Sequence, residues 1–409
     1  MRKLSLAVSI SALSVIPSLS QADIYDARSM GRGGAALTMG EYNQAIINPA
    51  LINKFDENDD FSFALNVGVF ASDKDGMVES LDDVQDGLDS IENNPQAGDA
   101  GRLFTLMGTI SNKMVQVDAG TSILIGIPNK SLPVAFVVKG KASIGAQFTR
   151  DAGDSAILDN IEDPITNPKP VACTTINLID PTRCTQEDLK SRMDASAVGV
   201  AEAGLMFGYK VSNLELGATF KAQQIELYSY SETVAGADAA DAIDEDKFTT
   251  SNSGVNVDLG ATMRLGGNGQ YVVAGTIENL IPQSFDGPNK QLNGVDTGIP
   301  TSYDMKPVLT AAVGYNNGWL KAEANMDLTE RAGYDLLADT QFARVGLEFS
   351  AGRHLHLRTG YRVDTKDNVS SVITGGIGIT PWDRFNIDLS GMIGEGETYG
   401  AALQIGFKI

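Results

Sequence analysis

The 409-residue chain is 43% hydrophobic and 20% charged, with a formal net charge of −21. That acidity excludes a surface built to hold a phosphate backbone, which needs clustered Lys and Arg. Past the amino-terminal stretch, no run reaches the roughly 18 uncharged apolar residues of a membrane-crossing helix, which excludes a helical membrane protein.

Residues 1–22 read as a signal peptide. Arg2 and Lys3 precede an apolar stretch from Leu4 to Ile16, and Ser20-Gln21-Ala22 offers a small-residue cleavage site. The next stretch, 25–52, is Gly-rich and shows little alternation. Its Gly31-Arg32-Gly33 triplet is no dinucleotide fingerprint, because no strand precedes it and no βαβ pattern surrounds it. Close backbone packing, where side chains would clash, accounts for these glycines better.

Strand signals begin at Phe61, with Phe63, Leu65, Val67 and Val69 on one face. Val78, Leu81, Val84, Leu88 and Ile91 then recur at spacings of three and four, which predicts an amphipathic helix. The segment 102–110 predicts another short helix. Both are expected in a long loop over one mouth of the structure. Further strands are expected at 115–127, 134–148, 195–209, 214–228, 254–265, 271–280, 308–315, 318–328, 341–349, 354–363, 369–380, 385–393 and 398–407.

The clearest units show what these strands need. Val255, Val257, Leu259, Ala261, Met263 and Leu265 alternate with Asn256, Asp258, Gly260, Thr262 and Arg264. Leu355, Leu357, Thr359, Tyr361 and Val363 alternate with His354, His356, Arg358, Gly360 and Arg362. Every second side chain shares a face, so one face of each strand can lie in lipid while the other cannot. Short turn-rich breaks at 128–132, 210–213, 266–269, 316–317, 350–353 and 381–384 alternate with long ones. The predicted fold class is therefore all-β: a transmembrane antiparallel barrel of about fourteen strands, with short periplasmic turns, long external loops and both ends in the periplasm.

The chemistry is sparse. Acidic segments at 73–99 and 232–246 read as solvated loops or as divalent-cation binders at a lipopolysaccharide surface. Cys173 and Cys184, in one polar segment of an exported chain, predict a loop-closing disulfide. Their spacing is not Cys-x-x-Cys and no His lies near, so no metal site and no cofactor is expected. His354 and His356 share a strand face, but two ligands are too few for a metal, and no Ser sits in a nucleophile elbow, so no enzyme is expected. The inner face is lined by Glu215, Lys221, Asp258, Arg264, Lys321, Glu323, Asp327, Arg344, Glu348, His356, Arg358, Arg362, Asp388 and Lys408. These charges either stiffen the wall in pairs or line a selective polar passage.

Asp26-Ala27-Arg28-Ser29-Met30-Gly31, followed by Gly33-Gly34-Ala35 and Asn48-Pro49-Ala50, resembles the N-terminal plug of FadL-type outer-membrane transport proteins. Within them the chain looks closest to the proteins named after conjugal transfer protein TraF. The resemblance implies three parts: a signal peptide at 1–22, a hatch at 23–58 folded inside the barrel, and the barrel itself at 59–409. It makes Gly31, Gly33, Gly34, Asn48, Pro49 and Ala50 hatch residues. It also implies a lateral exit at a kinked third strand, for which Gly140 is the match, although small-residue packing explains that glycine too. Leu37, Met39, Ile46, Ile47, Leu51 and Ile52 of the hatch, with the 78–91 helix stripe, are the candidate apolar binding surface.

The expected function is passive uptake of hydrophobic or amphipathic small molecules through a hatch-gated lumen, in the outer membrane of a Gram-negative bacterium. The alternative is a non-transporting docking platform for conjugation or secretion machinery. The expected partners are outer-membrane lipid and lipopolysaccharide, a hydrophobic small molecule, and the barrel-assembly machinery reading Phe407 near the C-terminus. A monomer without nucleic acid is expected.

Overall fold

The computed structural model describes residues 25–55, 59–170, 172–174, 181–234, 248–292 and 295–409. The expected signal peptide, its expected cleavage site and most of the 232–246 acidic segment lie outside these residues.

Fourteen strands close into one antiparallel barrel, ordered by nearest neighbours around the ring. They are β1 (Ser62–Asp73), β2 (Met114–Ile127), β3 (Val134–Thr149), β4 (Arg192–Val211), β5 (Leu214–Thr233), β6 (Thr249–Leu265) and β7 (Tyr271–Glu278) in the first half. A separate hairpin, β8 (Gln283–Leu292) and β9 (Val295–Met305), interrupts the series. The second half is β10 (Val308–Asn316), β11 (Leu320–Asp327), β12 (Phe342–Ala351), β13 (Leu355–Asp364), β14 (Val372–Ile379), β15 (Phe385–Gly394) and β16 (Glu397–Lys408). β1 pairs with β16 and closes the ring.

The predicted strands all appear, and the alternation means what it implied. On β13, Leu357 and Tyr361 face outward and are exposed, while Arg358 and Arg362 face inward and are buried. On β6, Val255 is 68% exposed and its neighbour Asn256 is 2% exposed. Val67, Phe136, Leu205, Phe220, Val313 and Ile373 continue the outer apolar band. A greasy outside and a polar inside invert the pattern of a protein folded in water. No helix among the described residues is long and apolar enough to cross a membrane.

Two features extend beyond the predicted elements. β4 and β5 each run for 20 residues, and the outward Gln224 and Glu226 carry β5 above the apolar band. The β8–β9 hairpin gives no clear alternation, since Gly287 and Pro288 break it and the pairing shifts register between Asp286 and Asn289. Its Phe285, Tyr303 and Met305 fold inward onto Val198, Val200, Ile225 and Leu227 of β4 and β5.

The long loops on either side of β2 and β3 build a helical cap. The predicted helices run Met77–Asn93 and Asp99–Ile110, and a further one, Asp154–Glu162, joins them. The first is capped by Asp73 at the end of β1, whose carboxylate accepts from the Met77 and Val78 amides at 2.7 and 2.9 Å. Glu162 accepts from the Gly98 and Ala100 amides at the start of the second. Met77, Val84 and Ile91 pack against Leu103, Met107, Ile110, Ile157 and Ile161. The helix stripe is thus spent on the core of the cap. Cys173 and Cys184 form a disulfide within that core, with their Cα atoms 5.6 Å apart.

Candidate functional site

Residues 25–55 fold inside the ring. Asp26 starts them: its carboxylate accepts from the Ser29 amide at 2.6 Å and caps the short helix Ala27–Met30. Burial raises the Asp26 pKa from its ordinary value despite that bond. Gly31 follows as the cap of the short helix, and Gly33 turns the chain at a φ of +68°. A side chain at Gly33 would overlap the Tyr361 backbone, so left-handed geometry and close approach both demand glycine. Gly34, at a φ of +89°, lies against the Arg344 side chain. Asn48 and Pro49 begin the 3-10 turn Pro49–Asn53, the Asn48 side chain accepting from the Ala50 amide at 3.0 Å. Pro49 and Ala50 press on β5 at Gly217, where any Cβ would overlap the Pro49 carbonyl.

Backbone hydrogen bonds between residues 26 and 54 close on the plug itself. Side chains hold it to the wall. On β11, Glu323 accepts from the Leu37, Thr38 and Met39 amides at 2.9, 2.7 and 3.0 Å and from the Thr38 hydroxyl at 2.6 Å. On β15, Asp388 accepts from Arg28 Nε at 2.8 Å, and Arg358 on β13 bridges Asp388 and Glu348 at 2.7 Å each. Glu348 on β12 also meets Arg32 of the plug at 3.3 Å and Lys321 at 2.8 Å. Glu41, half exposed within the lumen, meets Arg28 at 2.5 Å and Lys321 at 3.3 Å. The Arg28 charge, and then that of Lys321, hold the Glu41 carboxyl well below its usual range.

The facing wall works differently. Tyr25, Tyr42, Ile46, Leu51 and Ile52 pack onto Ala64 of β1, Leu124 of β2, Ala135 and Val137 of β3, and Met206 of β4. A smaller apolar patch seats Ala27 and Met30 against Phe70, Val372 and Met392. Asn48 ties the plug to β6 through Thr262 at 3.1 Å and to its own Leu37 carbonyl at 2.9 Å. Lys54 donates to the Thr38 and Gly40 carbonyls, and burial pushes its ammonium down to about 8.

Of the six candidate ligand residues, Leu37, Ile46 and Ile47 line a lumen cavity together with Pro49, Lys139, Asp258, Glu278, Arg331 and Arg344. Met39 is buried, and Leu51 and Ile52 are absorbed in the apolar seam against β1–β4. A second cavity lies under the hairpin, lined in part by Lys141, Tyr303, Met305 and Leu337. Both cavities lie inside the ring, the first beside the plug and the second beneath the hairpin.

Gly140 is the candidate for a kinked lateral exit. β3 pairs without a register break on both sides, Gly140 facing Thr121 on β2 and Ala201 on β4, so the strand carries no bulge there. The glycine stands on the outer face between two inward lysines, where small-residue packing suffices. Lys139, Lys141, Glu202 and Asp118 are buried lumen charges outside the inner-face set expected from the sequence. Lys139 pairs with Glu202 at 2.9 Å, and Lys221 bridges Glu202 and Asp258 at 3.0 and 2.8 Å. His354 sits by the Thr380 carbonyl and His356 by Ser350 Oγ, each 3.0 Å or closer. The grouping of Cys173, Cys184 and Asp188 has metal-like proximity, but both sulfurs are spent in the disulfide.

No curated protein matches the chain by sequence. Among solved structures, it is similar to the P. putida toluene transporter TodX, at 12% identity and a TM-score of 0.52, over 95% of this chain and 99% of that one. The CymD monoaromatic hydrocarbon channel is similar at 11% identity and a TM-score of 0.52, over 96% and 98%. A Pseudomonas aeruginosa FadL homologue gives 11% identity and a TM-score of 0.52, over 96% and 99%. At these identities the likeness speaks for a shared fold. Residues 45–327, more than half of the chain, match the family model described as F plasmid transfer operon, TraF, protein, and the chain belongs to that family.

Proposed function

We propose that this protein is an outer-membrane channel, not an enzyme, for passive uptake of hydrophobic or amphipathic small molecules, gated by the plug of residues 23–58. The short turns would face the periplasm and the long loops and helical cap the outside of a Gram-negative cell. One observation carries the reading. The plug fills the ring, yet it is fastened to the wall by side-chain contacts and not by a backbone ladder, so it can move without unzipping a strand. The structural neighbours TodX and CymD, described as a toluene transporter and a monoaromatic hydrocarbon channel, support a small hydrophobic cargo. Leu37, Ile46 and Ile47 would meet that cargo beside the plug.

Deleting residues 23–52 is the test. Uptake of an apolar solute by cells with intact lipopolysaccharide rises if the plug gates it, and unchanged uptake rejects a gate. The family description favours a second reading, a docking platform for transfer machinery. Co-purification of a stable protein partner with the plugged barrel would select it.

A further inference from the structure

Glu278 and Arg331 line both lumen cavities, the one resting on the plug and the one under the β8–β9 hairpin. They stand where the two spaces meet, paired at 3.0 Å. Arg331 comes from the long loop between β11 and β12 and is held from behind by Asp327 at 3.0 Å. Glu278 ends β7. Its Oε2 takes the Arg331 bond, while its Oε1 is buried and accepts no hydrogen bond among the described residues. The cation facing Oε1 is Lys141 on β3, at 3.5 Å. The two meet as an ion pair without a hydrogen bond, so Oε1 keeps its lone pairs for an incoming donor placed beside the pair.

We propose that the Glu278–Arg331 pair, with Lys141, is the selectivity element of the passage and favours neutral small amphiphiles that carry a hydroxyl group. The proposal rests on the uptake reading above and names its cargo more closely. A hydroxyl beside the pair donates to Glu278 Oε1 and accepts from Lys141, so it bonds both partners at once. A pure hydrocarbon of the same size desolvates the pair and returns no hydrogen bond. A carboxylate meets Lys141 and Arg331 but is repelled by Glu278. On each side of the pair an apolar surface receives the rest of the molecule: Leu37, Ile46 and Ile47 below, Tyr303, Met305 and Leu337 above.

The experiment compares initial uptake of radiolabelled benzyl alcohol and toluene by lipopolysaccharide-intact cells, each corrected for cells without the protein. The native chain should accelerate benzyl alcohol more than toluene by about two- to tenfold, the worth of one net hydrogen bond. Glu278→Met with Arg331→Met should bring the ratio to one, and Arg331→Lys, which keeps the pair, should preserve it. Replacing a buried ion pair by apolar residues of similar size is commonly tolerated. If the double variant nevertheless fails to show the heat-dependent gel shift of a folded barrel, Lys141→Met, which removes the hydroxyl's donor and leaves the Glu278–Arg331 pair, is read the same way. Toluene accelerated as much as benzyl alcohol, or a ratio indifferent to the substitutions, overturns the selectivity proposal and leaves uptake standing. Acceleration of neither probe rejects the uptake reading itself, and the selectivity proposal with it.

Discussion

The two walls that hold the plug differ in kind. Along β1–β4 the contact is greasy, with Leu51 and Ile52 set among Ala64, Leu124, Val137 and Met206. Along β11–β15 it is chiefly charge and directed hydrogen bonds, from Glu323, Glu348, Arg358 and Asp388. Apolar contact has no preferred direction and tolerates a tilt. An ion pair or an amide-to-carboxylate bond is broken or made within a fraction of an ångström. If the plug moves as proposed, the apolar side would serve as its pivot and the charged side as its latch.

The sharpest way to break this contrast is Arg358→Met, which leaves Glu348 and Asp388 short of their common cation. Glu348 keeps Arg32 and Lys321 and Asp388 keeps Arg28, so the loss is that of charge-assisted hydrogen bonds, about 1.5–3 kcal/mol, and maleimide labelling of a Leu37→Cys reporter should quicken by about ten- to a hundredfold. An unchanged rate would show that the charged wall is no latch. Leu51→Ala strikes the other wall. It should lower barrel thermal stability by about 2–5 kcal/mol, read as a shift in the heat-dependent gel transition, while Leu37→Cys labelling changes little. Equal labelling effects from both substitutions would erase the distinction between pivot and latch.

The smallest effect comes from acid. Glu41 is held below its unperturbed value of 4.5, so its share of plug stability is fully present above that value and fades as pH falls through the depressed one. Labelling should stay flat from neutrality to about pH 5 and rise only in stronger acid. Glu41→Gln should raise the neutral baseline slightly, since a half-exposed pair is worth little. A steep change between pH 7 and 5 would point to a different titrating group.

The barrel was legible because its strands obey a period of two with opposite chemistry on the two faces: Val255 beside Asn256 and Leu357 beside Arg358 already state which side meets lipid. The hairpin was not, because Gln283 to Met305 packs onto another inner surface and has no lipid face to advertise. Within the site, glycines and Asn48-Pro49-Ala50 marked the plug, but nothing local could pair Arg28 with Asp388, 360 residues away. Glu323 looked like one lumen carboxylate among many, and its role appears only once the Leu37–Met39 amides are folded against it. Gly140 is ambiguous for the opposite reason: an isolated glycine in a strand carries several explanations, and the ladder beside it runs unbroken.

The stopper's two sets of partners lie at very different distances along the chain. Its apolar seat is made by the four strands that follow it, whereas Leu37 and Glu323 stand 286 residues apart and the ring closes only where β16 pairs with β1. The polar fastening is therefore a property of the closed ring, and a truncation that removes the last strands takes Asp388 with it while leaving the greasy seat intact.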